Sequence, residues 1–281
     1  MKKLLLLVFL SALISQPSFA FERPDFLNFS LTRDEKAVKK VLNSQVRYAN
    51  KGNFDKFIST FDENYLNSDG FNLETYSKLV SDIWNTYTNV KYTINFKNIE
   101  VKNNDAKVDA IETSTAKLPL NEIYEGELNS IAYSTYYLKK INGHWKVYSD
   151  SVSDETTQML YGEAKDLDIK LTVPTTINAG EEYTAILEFT PPEETMAIAS
   201  IASDIVEYPQ KPTKEVFRPL PDDHILERMF TANSKNANEY IVASIGLTKA
   251  AIKDLSIKLS LTGFGYAIKR VNVTKVSNET I

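Results

Sequence analysis

Residues 137–150 read YLKKINGHWKVYSD. Two runs of alternating residues flank Asn142-Gly143, a pair suited to the left-handed backbone of a two-residue hairpin turn. With that turn in place, Ile141 pairs with His144 and the register propagates outward. Lys140 then opposes Trp145, Lys139 opposes Lys146, Leu138 opposes Val147, Tyr137 opposes Tyr148 and Tyr136 opposes Ser149. Opposed residues share a face. One face collects Ala132, Ser134, Tyr136, Leu138, Trp145 and Val147, and is expected to pack inward. The other carries Tyr133, Thr135, Tyr137, Lys139, Lys146 and Tyr148. Three tyrosines on an outer face form a patch of the kind that meets a partner, so Tyr133, Tyr137 and Tyr148 are interface candidates.

Helical patterns lie upstream of this hairpin. Thr32 and Glu35 have capping-box spacing. Val38, Val41, Leu42, Gln45 and Ala49 follow at helical intervals, and Gly52 supplies a stop. A second, short helix carries Phe54, Phe57, Ile58 and Phe61. A third begins near Asn72 and places Leu73, Tyr76, Val80, Ile83 and Tyr87 on one stripe. The period then changes to two. Val90, Tyr92, Ile94 and Phe96 alternate with polar residues, and Ile99 and Val101 continue in the opposite phase. That switch predicts a β-bulge near Lys97-Asn98. Val108 to Ala116 reads as the next strand, followed by the two arms of the hairpin.

Three helices followed by about four antiparallel strands form an α+β layout with helices on one face of the sheet. This order, the "ANKGNFDKFISTF" segment and the closing "NGHWKV" hairpin resemble the nuclear transport factor 2-like superfamily over residues 32–150. The resemblance implies a bent sheet and helices closing a cone around a pocket. It also implies that the outer tyrosine face could meet a second copy in a homodimer. The alternative cover for that face is the carboxy-terminal part of the chain.

Residues 151–166, polar and with Gly162, read as a linker or a short helix. After them, Leu167, Ile169, Leu171 and Val173 alternate and stop at Pro174. Short strand patterns follow at Tyr183–Phe189, Met196–Ile201, Glu239–Leu247, Leu255–Leu261 and Tyr266–Val276, bounded by Pro and Gly. This spacing predicts an all-β immunoglobulin-like sandwich over residues 167–281. The expected fold is therefore a cone-shaped α+β domain followed by a separate β-sandwich.

At the amino terminus, Lys2-Lys3, the apolar run Leu4–Ile14 and Ser18-Phe19-Ala20 have the form of a bacterial signal peptide cleaved after Ala20. The run is shorter than the roughly 20 residues of a membrane span. Residues 21–31 would form an irregular arm. The expected location is the periplasm, the cell surface or the medium. Absence of cysteine in the 281 residues rules out disulfides. A net charge of −5 without arginine clusters argues against nucleic acid as a partner.

Chemistry is sparse. Only two histidines, His144 and His224, are present, in different expected domains. With no cysteine, neither a zinc site nor a serine triad has its usual residues, and neither a metal nor a cofactor is expected. Asp222-Asp223-His224 reads as a solvated loop leading into a helix at Ile225. Glu112 is the weak catalytic candidate. It shares the phase of Val108 and Ala110, and a carboxylate in an apolar cone could serve as a general base with a tyrosine donor. Because a buried glutamate is rare unless paired, a bulge or strand twist that turns Glu112 to solvent is the favoured reading. Phe61, Trp84, Tyr87, Tyr92 and Tyr136 could line a pocket for a small apolar ligand. The leading expectation is an exported, non-catalytic protein for ligand binding or protein assembly at the cell envelope. The alternatives are a lyase, isomerase or hydrolase working through Glu112, and a purely structural envelope component.

Overall fold

The structure, a computed structural model, describes residues 31–87, 89–119, 125–211, 214–253 and 256–275. The expected signal peptide and most of the expected amino-terminal arm lie outside the described residues. The chain forms α1 (Arg33–Ala49), α2 (Phe54–Ile58) and α3 (Leu73–Thr86). Then come β1 (Lys91–Lys102), β2 (Asp105–Pro119), β3 (Glu125–Ile141) and β4 (His144–Gly162). A 3-10 turn leads to β5 (Lys170–Thr172), β6 (Thr176–Asn178), β7 (Glu182–Glu188) and β8 (Thr195–Ile205). The last strands are β9 (Arg218–Pro219), β10 (Ile225–Thr231), β11 (Glu239–Lys253) and β12 (Ser256–Thr274).

Local signals place the first elements. The α1 capping box is complete: Thr32 N–H donates to Glu35 Oε2 at 2.6 Å and Glu35 N–H donates to Thr32 Oγ1 at 3.2 Å. Asn72 caps α3 by accepting from Thr75 N–H at 2.9 Å. The register of β1 on β2 shifts between Phe96 and Asn98, at the predicted bulge. Asn142 and Gly143 adopt φ of 49° and 79°, which closes the β3–β4 hairpin.

The fold class differs from the expected one. One sheet runs β1-β2-β3-β4-β12-β11-β8-β9, with β6 parallel to β12. A second sheet, β10-β7-β5, lies apart from it. No separate cone is followed by a separate sandwich. The cause is the length of β4, which continues through residues 151–162, the segment expected as linker. Its far half pairs with β12, from Thr156↔Lys269 to Gly162↔Gly263. Glycines permit this close approach. A Cβ on Gly263 would lie 2.6 Å from Ala164 N, and one on Gly265 would lie 2.6 Å from the Leu160 side chain. Of the two strands expected at Leu255–Leu261 and Tyr266–Val276, residues 256–261 and 266–274 belong to one long strand, β12, while Leu255 and Val276 lie outside the described residues. The helix expected at Ile225 is instead β10, paired with β7.

Two hydrophobic clusters share the large sheet. In one, α1–α3 pack on β1–β4, with Val206, Tyr240, Val242 and Ile268 joining from the carboxy-terminal half. In the other, Ile241, Ala243 and Ile245 of β11 meet Ala185 and Leu187 of β7. Successive strand residues point to opposite faces, so β11 serves both clusters and reads as a nearly continuous apolar run.

Candidate functional site: a buried set of acids and tyrosines

The hairpin keeps its expected register as far as Leu138↔Val147. Beyond that, β4 bulges at Tyr148, so Tyr137 pairs with Ser149 and Tyr136 with Asp150. A second bulge, at Ser153, lies between Ser134↔Val152 and Tyr133↔Asp154. Each extra residue reverses the phase of the strand. The first bulge turns Asp150 inward, where it is 2% exposed. The second brings Glu155 inward, opposite Ala132.

Glu112 does point inward. It is 0% exposed and accepts a hydrogen bond from the Tyr136 hydroxyl. Asp150 Oδ2 accepts from the Tyr65 hydroxyl at 2.5 Å. Glu112 Oε2 and Asp150 Oδ1 are buried without a hydrogen-bond partner among the described residues. Burial pushes the Glu112 carboxyl up to about 7, against the opposing pull of the Tyr136 hydroxyl. It pushes Asp150 up to about 7 as well, partly offset by Tyr65 and reinforced by Glu112. Tyr76 and Tyr136, packed against both acids, are held well above the ordinary phenol range.

A second set lies where the two halves meet. Arg270 of β12 donates two hydrogen bonds to Asp69, at 2.6 and 3.1 Å. Asn238 Nδ2 donates to Asp69 at 2.7 Å. Tyr240 donates to Glu155 Oε2 at 2.9 Å, and burial pushes Glu155 up to about 7. By contrast, the buried Glu239 receives the Tyr183 and Ser203 hydroxyls, the Asn233 N–H and the Asn233 amide.

The expected pocket is nearly closed. Phe61, Trp84, Tyr92 and Tyr136 border a mostly apolar cavity of about 40 Å³. Tyr87 does not line it; its hydroxyl faces Met159 Sδ at 3.8 Å. Such a volume holds a few waters, against roughly 300 Å³ or more for a small-molecule site. The rings fill the space themselves. Phe57 and Trp84 lie 5.5 Å apart, Phe61 and Tyr76 5.1 Å, and Tyr65 and Tyr76 5.3 Å. Glu112 is not among the residues lining the cavity. On the outer face, Tyr133 is 44% exposed. Tyr137 and Tyr148 are half-buried, with ring centres 6.3 Å apart, and Lys139 Nζ sits 4.2 Å from the Tyr148 ring centre. His144 is exposed and Trp145 is core, donating to Asp34 Oδ1 at 3.3 Å.

Sequence reading missed Asp150, Glu155 and the pair Asp69–Arg270. The first bulge of β4 shows only as the change of phase from Trp145 and Val147 to Val152, and the other contacts join distant segments. Tyr76 was legible as a member of the α3 stripe, though not as a neighbour of acids.

Residues 40–159, under half of the chain, match the family model described as anti-sigma-I factor RsgI9, C-terminal domain. No curated protein sequence matches the chain. Among solved structures, a candidate dehydratase of the NTF2-like family from Streptomyces avermitilis is similar at 13% identity and a TM-score of 0.37. The likeness covers 42% of this chain and 94% of that one. AclR, a candidate hydroxylase from Streptomyces galilaeus, is similar at 12% identity and a TM-score of 0.30, over 41% of this chain and 86% of its own. At these scores the likeness, which spans less than half of the chain, carries no conclusion about fold or activity.

These findings correct the expected roles. The matching family model belongs to a regulatory anti-sigma factor, not to an envelope ligand-binding or assembly protein, a pocket enzyme or a structural envelope component. The family matched is a regulatory one, where a signal peptide, secretion and ligand binding had been the expected description. The cavity is also too small for the expected apolar ligand.

Proposed function

We propose that this chain is a regulatory protein akin to anti-sigma-I factors and that its working partner is a protein, a sigma factor. The observation that carries this reading is the match of residues 40–159 to the anti-sigma-I factor family model. Two physical features support it. The interior is packed by aromatic side chains, so recognition falls to the surface. The net charge of −5 suits a protein partner better than a nucleic acid.

Within the matched segment, the outer face of β3 and β4 is the contact surface of this proposal. Tyr133, Tyr137 and Tyr148 supply amphipathic area with little rotamer entropy to lose, and Lys139 adds a cation beside the rings. The test is direct binding of the purified full chain to a sigma-I factor, by calorimetry and sedimentation velocity. A Kd of about micromolar or tighter is expected. Replacing Tyr133, Tyr137 and Tyr148 together by Ser should weaken binding at least roughly tenfold while the melting curve stays in place. Absence of association at about 100 micromolar overturns the reading.

A further inference from the structure

Residues 60–72 cross the outside of β4 as an irregular strap rather than a regular strand. Asp62 N–H donates to Val147 O at 2.8 Å, and Val147 N–H to Thr60 O at 3.1 Å. Leu66 N–H donates to Tyr148 O at 3.1 Å, and Ser68 N–H to Asp150 O at 2.9 Å. The strap thereby covers the edge of β4 over the stretch that β12 does not reach. Two buried side chains anchor it: Tyr65 on Asp150, and Asp69 on Arg270.

We propose that this strap is a proton-sensitive latch, which leaves the edge of β4 when the carboxylic acids beneath it lose their protons. The inference concerns this chain's own conformations and holds whatever the partner is.

Charge balance carries the argument. The groups facing Asp150 are Tyr65 and Asp69 from the strap, Tyr76 from α3, Glu112 from β2, Tyr136 from β3 and Arg270 from β12. Arg270 is the one cation among them, and Asp69 engages it through both oxygens. Asp150 is left with the Tyr65 hydroxyl as its donor and one unpartnered oxygen; Glu112 has the Tyr136 hydroxyl, with that of Ser134 nearby, and likewise one unpartnered oxygen. A buried carboxylate so poorly paired is stable only as the neutral acid. When a proton passes from each acid to solvent, two like charges face each other with no free cation among the described residues around them. Hydration relieves this most directly at Asp150, which lies under the strap. The strap can yield because only a few backbone hydrogen bonds and two side-chain anchors hold it. Burial pushing Glu112 and Asp150 up to about 7 sets the change close to neutral pH.

Hydrogen exchange on the full chain, read by mass spectrometry at about pH 6 and about pH 8 and corrected for intrinsic rates, tests this. Protection of the peptide spanning residues 60–72 should fall roughly tenfold more than that of α1. Asp150→Asn keeps an acceptor for Tyr65 but cannot ionise, and Glu112→Gln does the same for Tyr136. Either should reduce the pH effect on the strap, and the pair should abolish it. Equal protection of the wild-type strap at the two pH values overturns the proposal, without recourse to any variant. So does a pH effect that survives undiminished in a folded double variant.

Discussion

Arg270 and Asp69 stand 201 positions apart in sequence and form a bidentate ion pair whose side chains are 0% and 2% exposed. The pair ties the last strand to the strap between α2 and α3. Asn272 accepts from Arg270 Nε at 2.8 Å and Asn238 donates to Asp69, so both partners are well satisfied.

Breaking that pair from one side leaves a buried charge without a counterion. Arg270→Met should cost about 3–5 kcal/mol in urea unfolding, and Asp69→Asn a comparable amount. The double replacement Arg270→Met with Asp69→Leu should recover much of the loss, because it removes both charges. Equal losses for single and double variants would show that packing, not charge, dominates here.

Stability should fall as pH rises across neutrality. Glu112, Asp150 and Glu155 are each pushed up to about 7 by burial, from an unfolded value near 4. Between these values the folded protein keeps protons that the unfolded chain has released. The stability contributed by these acids is thus fully present below about pH 4 and is lost as pH rises through about 7. The melting temperature should decline from about pH 5 to about pH 8. Glu112→Gln should flatten that slope. A profile that is level or rises with pH contradicts the assignment.

The junction of β4 with β12 depends on the absence of side chains. Gly263→Ala places a methyl 2.6 Å from the Ala164 backbone nitrogen, which cannot swing aside as a side chain can. A loss of about 1–3 kcal/mol in chemical denaturation is expected. At Gly246 the nearest atom is on the flexible Ile198 side chain at 3.3 Å, so Gly246→Ala should cost under about 1 kcal/mol.

The first helix offers a local test. Thr32→Ala removes the acceptor for the Glu35 N–H and should destabilise the fold by about 1 kcal/mol. Thr32→Asp restores an acceptor and should recover most of that loss. A neutral Thr32→Ala would mean that tertiary packing alone holds the start of α1.

Legibility followed distance along the chain. The Thr32–Glu35 box, the Asn142-Gly143 turn and the bulge after Phe96 rest on residues near each other, and each could be read from spacing alone. Glu112 shares the phase of Val108 and Ala110, yet the rarity of buried glutamate argued for solvent; it lies inside, where the Tyr136 hydroxyl meets it. Asp150 shows the limit. Strict alternation from Trp145 and Val147 puts Ser149 on the inner face, and only the extra residue at Tyr148 moves Asp150 there. The change of phase from Val147 to Val152 hints at a bulge, but its place among the four polar or aromatic residues between them answers to the partner strand and to the strap beside it.

The expected division into two modules failed for the same reason. Residues 151–162 have too few large apolar side chains to announce a strand, yet they extend β4 into the sheet that carries β12. They pair with β3 on one side, and residues 156–162 also pair with β12, about a hundred residues further on. Local propensity and periodicity determine helix starts, turns and the face a side chain prefers. Which edges meet, which acids are buried together and which arginine neutralises one of them are decided by long-range packing. Those arrangements minimise the free energy of the whole chain and not of any one segment.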